Sequence, residues 1–444
     1  MPRALQALGW ARRPYPFMKR CQERYGDTFT LRILHSGTWV FLCDPDDVKK
    51  VFTAPAESLG VALANPLLRP VLGPHSVMLL EEPAHMTRRR LMLPPFHGKR
   101  MGADAEMMAA VTREAVRRWP VGEPFELWPQ MQTITQEVIM RSVFGPDDEG
   151  RLARLRTLLH RLTRTLNDPG RLSKAAALGP RWLVHESGFR AAMLPVEQAL
   201  LEEVDRRRRE GENGRKDIVS ILIDARYEDG APLGERELRD ELMTLLTDGP
   251  TSSSLAWVFE RLLRHPEKLA RLQEEVRGGG EDVYLDAVVK ETLRLCPPVP
   301  VVTRRLLAPL EVGGYTLPTG TTVAPCVYLI HRNPEIYPKP RQFLPERFLG
   351  KTPGTYTWIP FGGGTRRCLA ASYAELEMKR VLRTVLSEVD LHPAEGDSEH
   401  ARRSAISFSP DKRGRVIAEP RRPAPAPNSI PDPTEPWQPS PIYS

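Results

Sequence analysis

Apolar positions recur along this chain with two different periods, and the places where the period changes mark its organisation. From Thr28 to Leu34 and from Thr38 to Cys43, β-branched and aromatic residues flank His35-Ser36-Gly37, a pattern that predicts two strands joined by a turn. Asp44-Pro45 then opens a predicted helix toward Phe52, with an N-cap followed by proline at the first helical position. Ala54 to Pro83 is apolar but broken by prolines and glycines, and it holds no period. Loops of that length are uncommon unless functional, so this one reads as a ligand lid.

Helical spacing then dominates for about 200 residues. It predicts helices from Ala84 to Leu93, Glu106 to Trp119, Met131 to Phe144, Arg151 to Leu166, Val196 to Glu210, Ile218 to Ala225 and Glu235 to Arg264. In the last of these, Leu238, Leu242, Leu246, Leu255, Val258, Phe259 and Leu262 cover more than one face, as expected of a helix through the middle of a large domain. Asp282 to Leu295 predicts one more helix. Val299 to Arg305, Leu310 to Leu317 with its Gly313-Gly314 turn, and Thr321 to Leu329 read as strands of a smaller β lobe. The fold class is therefore mostly α (α+β): a large helical domain over residues 1–419 with a β-rich lobe. Residues 420–444 form a proline-rich tail that cannot bury enough apolar surface to offset its ordering entropy.

Composition narrows the possibilities. The 444 residues are 41% hydrophobic and 27% charged, enough for a large buried core. Lys and Arg number 63 against 56 Asp and Glu, a net charge of +7 with no concentrated basic run, so nucleic acid is not indicated. No stretch approaches the roughly 20 apolar residues of a membrane span. Met1 to Arg13 lacks the apolar core of a signal peptide. Cys21, Cys43, Cys296, Cys326 and Cys368 are odd in number and widely spaced, against a disulfide framework or a structural zinc site. The expected setting is soluble and cytoplasmic, without a membrane anchor.

One cysteine has a distinctive context. Phe361-Gly362-Gly363-Gly364-Thr365-Arg366-Arg367-Cys368-Leu369-Ala370 is a glycine-rich loop whose cysteine opens an apolar helical run through Tyr373, Leu376 and Met378. Glycines let a backbone approach a flat ligand, and a helix N-terminus favours thiolate over thiol. A single cysteine ligand without neighbouring partners suits haem iron better than zinc.

Here the chain resembles the cytochrome P450 family, of the soluble bacterial type, whose signature Phe-x-x-Gly-x-Arg-x-Cys-x-(Gly or Ala) is met at Phe361, Gly364, Arg366, Cys368 and Ala370. The resemblance spans roughly Tyr25 to Val416. It implies heme b, iron protoporphyrin IX, with Cys368 as the axial thiolate. It implies that His85, Arg89, Arg304 and Arg366 donate to the haem propionates, since buried carboxylates need cationic donors. It also implies a buried Glu-Arg-Arg network of Glu291, Arg294 and Arg347, within Lys290-Glu291-Thr292-Leu293-Arg294-Leu295 and Pro345-Glu346-Arg347-Phe348. The implied activity is monooxygenation, one oxygen atom of O2 entering a hydrophobic small molecule.

The chain departs from the family in its central helix. Where the family has (Ala or Gly)-Gly-x-(Asp or Glu)-Thr, this segment reads Leu245-Leu246-Thr247-Asp248-Gly249-Pro250-Thr251-Ser252-Ser253-Ser254, two residues short. Pro250 must open the helix, because it lacks an N–H and crowds the carbonyl of Leu246. Asp248, Thr251 and Ser252 then become the candidate proton relay, at i, i+3 and i+4. The competing reading is a plain break whose hydroxyls satisfy freed backbone groups.

The chain carries no flavin or nicotinamide fingerprint, so electrons are expected from a ferredoxin- or flavodoxin-type partner. Arg88, Arg90, Lys99, Arg100 and Arg367 are the candidate docking charges. Two alternatives stand beside the monooxygenase: a peroxide-using or peroxide-rearranging haem-thiolate enzyme, and a non-enzymatic haem binder or sensor. The lid candidates Ser58 to Leu80 and Asn167 to Trp182, together with the apolar stretch Val299 to Val302, predict an apolar ligand without identifying it.

Overall fold

The structure is a computed structural model that describes residues 6, 9–10, 13–33, 37–96, 98, 100–145, 149–211, 215–247, 249–404 and 407–421. Asp248 and nearly all of the proline-rich tail lie outside the described residues. Pro420 ends a strand, Arg415–Pro420, and Arg421 donates to the Ser387 carbonyl at 2.9 Å.

Elements used below are β1 (Thr28–Ile33), β2 (Gly37–Leu42), β3 (Leu59–Gly60), β4 (Arg304–Leu306), β5 (Thr322–Pro325), β6 (Ala401–Ser404) and β7 (Ser407–Pro410). The helices are α1 (Ala84–Met92), α2 (Leu127–Phe144), α3 (Glu235–Leu246), α4 (Pro250–Leu263), α5 (Val283–Leu295) and α6 (Ala371–Glu388). The fold is mostly α with smaller sheets, as the periodicity predicts. Met131, Ile134 and Val138 of α2, Leu255 and Phe259 of α4, Val288 of α5 and Val381 and Leu382 of α6 meet in one apolar core.

The β lobe is built from both ends of the chain. Its sheet runs β1-β2-β5-β4-β3, with β2 and β5 parallel and the other pairs antiparallel. Asp44 caps the helix Pro45–Thr53 by accepting from the Asp46 and Asp47 amides at 2.9 and 3.1 Å, as its sequence predicts. The Gly313-Gly314 turn joins the hairpin Leu310–Val312 and Tyr315–Leu317. The strand predicted over Thr321 to Leu329 is shorter: β5 ends at Pro325, and Val327–Ile330 is a helical turn closed by the Ile330 amide on the Cys326 carbonyl at 3.1 Å. Asn167 to Trp182 contains the helix Pro169–Leu178 and the start of Pro180–His185 rather than open loop.

The helix predicted over Glu235 to Arg264 is two helices. α3 ends at Leu246, α4 restarts at Pro250 as its first residue, and the Thr247 hydroxyl and amide both close on the Met243 carbonyl. The cause is the missing N–H of Pro250. Ser252 to Glu260 are buried in unbroken succession, so α4 does run through the interior.

The lid segment is partly ordered by α3. The His75 amide donates to Asp240 Oδ2 at 2.8 Å, the Val77 amide to Glu241 Oε1 at 2.9 Å, and the Ser76 and Thr244 hydroxyls lie 2.7 Å apart. Arg88 of α1 locks this contact, donating to Glu241 Oε1 at 2.8 Å and the His75 carbonyl at 3.1 Å, and pairing with Glu237. Burial pushes the Glu241 carboxyl up from 4.5 to about 7, against the pull of Arg88. A folded-state value above the unfolded one means that the folded chain holds this proton more tightly. The stability it contributes is therefore present below about 4.5 and lost as pH rises through about 7. Thermal melts should accordingly show a decline from about pH 5 to about pH 8, worth at most about 3 kcal/mol. Glu241→Gln should flatten that decline, and a variant that melts with the wild-type pH profile would remove Glu241 as its source.

Candidate active site

The cysteine loop is shaped by close approach. Gly364 has φ +66°, and a Cβ there would lie 2.3 Å from the Phe52 carbonyl oxygen; one at Gly363 would lie 2.3 Å from the Phe52 ring. Only glycine lets the loop press so tightly on the end of the Pro45–Thr53 helix. The Cys368 amide donates to the Phe361 carbonyl at 2.9 Å, and Ala370 stands at the N-cap of α6. Phe361 packs edge-on against Trp358 with ring centroids 6.2 Å apart.

Cys368 is exposed, whereas Cys21, Cys43, Cys296 and Cys326 are buried. Even so, desolvation raises its thiol, opposed by the Ala370 amide, Arg367 and Arg89. A thiol with open surface that still feels the surrounding protein faces a recess, not bulk water.

Cations gather round that recess. Arg304 is buried, donates to its neighbour Thr303 carbonyl at 2.8 Å, and has no ion pair among the described residues; burial and Arg366 pull its guanidinium down to about 10. Arg366 donates to the Leu80 carbonyl at 2.6 Å and approaches Glu81 at 3.5 Å. Arg89 has neither hydrogen bond nor ion pair among the described residues, and desolvation lowers it while the Cys368 sulfur pulls the other way. His85 is buried with Nδ1 2.6 Å from Glu82 Oε1. Glu81 accepts from the Val61 and Ala62 amides at 2.8 and 2.9 Å, so the acid beside Arg366 also fixes the lid. Glu81, Glu82 and Glu241 carry no motif in sequence. Their partners lie up to 285 residues away, and only the fold reveals them.

Glu291 and Arg294 are fully buried, with Arg294 Nε 2.7 Å from Glu291 Oε2 and Nη2 2.8 Å from Oε1. The Leu344 amide donates to Glu291 at 2.8 Å, and Arg347 Nε lies 3.5 Å away. Arg294 also donates to the carbonyls of His331, Pro340 and Gln342 at 2.6, 2.8 and 3.2 Å. This network reaches the cysteine loop through His331, a residue that carries no motif in sequence. The Ile359 amide donates to its Nε2 at 2.8 Å, so Nδ1 bears the hydrogen and donates to the Arg294 carbonyl at 3.2 Å. Burial and Arg294 lower His331 to about 3, which keeps it neutral for that geometry. Trp358 Nε1 adds a bond to the Lys290 carbonyl at 3.2 Å, and Tyr337 one to the Thr357 carbonyl at 3.0 Å.

In the central segment Thr251 is half-buried in the first turn of α4 and Ser252 is buried. The Ser252 hydroxyl donates to the Gly249 carbonyl at 3.0 Å and Ser254 to the Pro250 carbonyl at 2.9 Å. Ser253 and Ser407 hydroxyls lie 3.2 Å apart, and Trp257 Nε1 donates to the Phe408 carbonyl at 3.0 Å, which seats β7 on α4.

The docking set needs correction. Arg88 is buried, because it shares the inward face of α1 with His85 and Met92. Arg100 is held by the Ser142 and Lys216 carbonyls and lies 3.5 Å from Asp104. Lys99 lies outside the described residues. Arg90 and Arg367 are exposed, the former 3.5 Å from Glu228.

A haem group is tested here by the donor set. Three guanidiniums, Arg304 buried and Arg89 and Arg366 half-buried, are lowered by desolvation, two of them without a carboxylate partner among the described residues, beside a thiol in a recess. A flat ligand with two carboxylates would supply the missing anions, and the residues fit it. Comparison with known proteins agrees. The family model "Cytochrome P450" matches residues 3–415. The chain is 38% identical over 423 residues to cytochrome P450 135B1 of Mycobacterium tuberculosis, covering 93% of this chain and 89% of that one. It is 36% identical over 415 residues to cytochrome P450 137 of the same organism, covering 91% and 86%. Among solved structures, retinoic acid-bound cyanobacterial CYP120A1 superposes with TM-score 0.80 at 22% identity, covering 94% of this chain and 96% of the other. The cytochrome P450DA haem domain gives 0.81 at 23%, with the same coverage.

Removing the central carboxylate tests the support of the loop. Glu291→Ala leaves two arginines facing a void, a loss of about 3–5 kcal/mol for a buried network. The purified variant should melt earlier and carry less haem per chain by absorbance. Wild-type melting with full haem would show that Glu291 does not hold the cysteine loop.

Proposed function

The chain belongs to the cytochrome P450 family, a family of haem-thiolate monooxygenases, and on that premise we propose that it inserts one atom of O2 into an apolar small molecule, with electrons from a separate partner. The observation that carries this reading is the exposed Cys368 near a cluster of one buried and two half-buried arginines, two of them without an ion pair among the described residues. The haem domain in this reading runs two residues past 419, through the strand end at Pro420 and the Arg421 contact, and the proline-rich remainder is the tail. The unpaired thiols fit a reducing, cytoplasmic compartment.

In this reading Cys368 ligates the iron, Phe361, Gly364 and Ala370 shape its loop, and His85, Arg89, Arg304 and Arg366 hold the two propionates. Haem held by these residues would supply the oxygen chemistry, and a Cys368 thiolate ligand would favour O–O cleavage. Glu291, Arg294 and Arg347 hold the loop still. Asp248, Thr251 and Ser252 are the groups for moving protons, Ser252 once released from the Gly249 carbonyl. The electron donor is an acidic ferredoxin- or flavodoxin-type protein, met by Arg90 and Arg367.

One observation favours a second reading. Ser252 already bonds the Gly249 carbonyl at the helix break, which is what a segment without a relay would show. A peroxide-using haem-thiolate enzyme needs no relay and tolerates such a break. A non-enzymatic haem binder also remains an alternative.

The reduced, carbon monoxide-treated protein should show the strongly red-shifted absorption band of thiolate-ligated haem, and Cys368→Ser should lose it. No such band in the wild type would overturn haem-thiolate binding. Product formed with O2 and an electron donor supports the monooxygenase; product formed with peroxide alone supports the second reading. Electron-transfer rate should fall with added salt, whereas a flat response would exclude the charged docking face.

A further inference from the structure

His85 has the wrong hydrogen-bond polarity for the seat it is expected to provide. Its Nδ1 lies 2.6 Å from Glu82 Oε1, and its Nε2 makes no hydrogen bond among the described residues. Burial and Arg366 pull its acidity to about 4, so the ring is neutral and holds one hydrogen. A carboxylate only accepts, so that hydrogen sits on Nδ1 and points at Glu82, leaving Nε2 a bare lone pair. A propionate docking at Nε2 is a second acceptor. Two carboxylates cannot be joined through one imidazole unless the chain of three groups holds two protons.

The groups around His85 are Glu82 and Glu81 from the segment before α1, Arg89 one turn along α1, Arg366 from the cysteine loop, and Arg304 of β4 beyond Arg366. The arginines oppose a charged ring, and Glu82 favours one. Glu82 also fixes its own position by accepting from the Met86 amide at 3.2 Å.

We propose that Glu82 is a positioning residue that makes His85 a proton-taking seat for a haem propionate, so that the charge on the iron is coupled to a proton shared along propionate, imidazole and Glu82. This rests on the haem reading of the site. No covalent bond forms or breaks. Docking draws one proton from water onto Nε2. When a one-electron donor reduces the iron, the added negative charge holds that proton more tightly, and reduction takes up protons wherever the oxidised protein has begun to lose them.

The test is the reduction equilibrium of the haem-loaded full chain, followed by absorbance against pH with dithionite as reductant. For the wild type the equilibrium should fall at least about threefold per pH unit somewhere between about pH 5.5 and about pH 8.5; the ceiling is tenfold per unit, 59 mV for one electron. His85→Gln keeps a donor for the propionate without titrating and should be flat across that window. Glu82→Gln should move the sloping region to more acid pH by at least about one unit. A flat wild type overturns the proposal, as does an undiminished slope in His85→Gln. A wild-type chain that takes up no haem overturns it together with the reading beneath it.

Discussion

Everything near the cysteine depends on one buried carboxylate. Glu291 has no exposed surface, yet it is satisfied on every side by Arg294, Arg347 and the Leu344 amide. Such a group is costly to bury and more costly to strand. Arg294 distributes the effect by gathering the carbonyls of His331, Pro340 and Gln342, so a stretch of irregular chain is pinned to α5 without secondary structure of its own. His331 passes the constraint forward: a neutral imidazole that accepts at one nitrogen and donates at the other is a rigid spacer between Arg294 and Ile359. Two residues beyond Ile359 the glycine loop begins.

That loop meets the opposite condition. Around Glu291 charges are matched, whereas around Cys368 they are not. Arg304 and Arg89 are lowered by burial and lack carboxylate partners among the described residues, and Arg366 shares Glu81 with two lid amides. A matched network stabilises the fold by itself; an unmatched one stores affinity for an anion that completes it. The two clusters divide the work accordingly, one fixing backbone and the other reserving charge.

The motif residues were legible because each is demanded locally. Gly364 needs a positive φ and a close approach to Phe52, and Cys368 needs a helix N-terminus. The phase of α1 is legible too. His85, Arg88 and Met92 recur at i, i+3 and i+7, which places Arg88 inward and removes it from any docking face. The acids that receive Arg88 were not legible, since Glu237 and Glu241 look like any solvated pair on a charged helix until the fold brings the lid against them. At the central helix, Pro250 made the break foreseeable, but the division into α3 and α4 follows from where backbone groups find partners across the gap, which spacing does not encode.

Consecutive residues of α1 tie the two halves of the site together. Arg88 turns to Glu241 and the His75 carbonyl, while Arg89 turns to the recess of Cys368. Glu81, just before the helix, holds the lid amides of Val61 and Ala62 with the carboxylate that Arg366 approaches. Lid and anion seat are thus parts of one hydrogen-bonded body, not a flap over a finished pocket. An anion settling on Arg89 and Arg366 competes with Glu81 for Arg366 and with Cys368 for Arg89. The acid it would compete with is the one that holds the Val61 and Ala62 amides, so the arginine cluster and the segment over it share a single carboxylate.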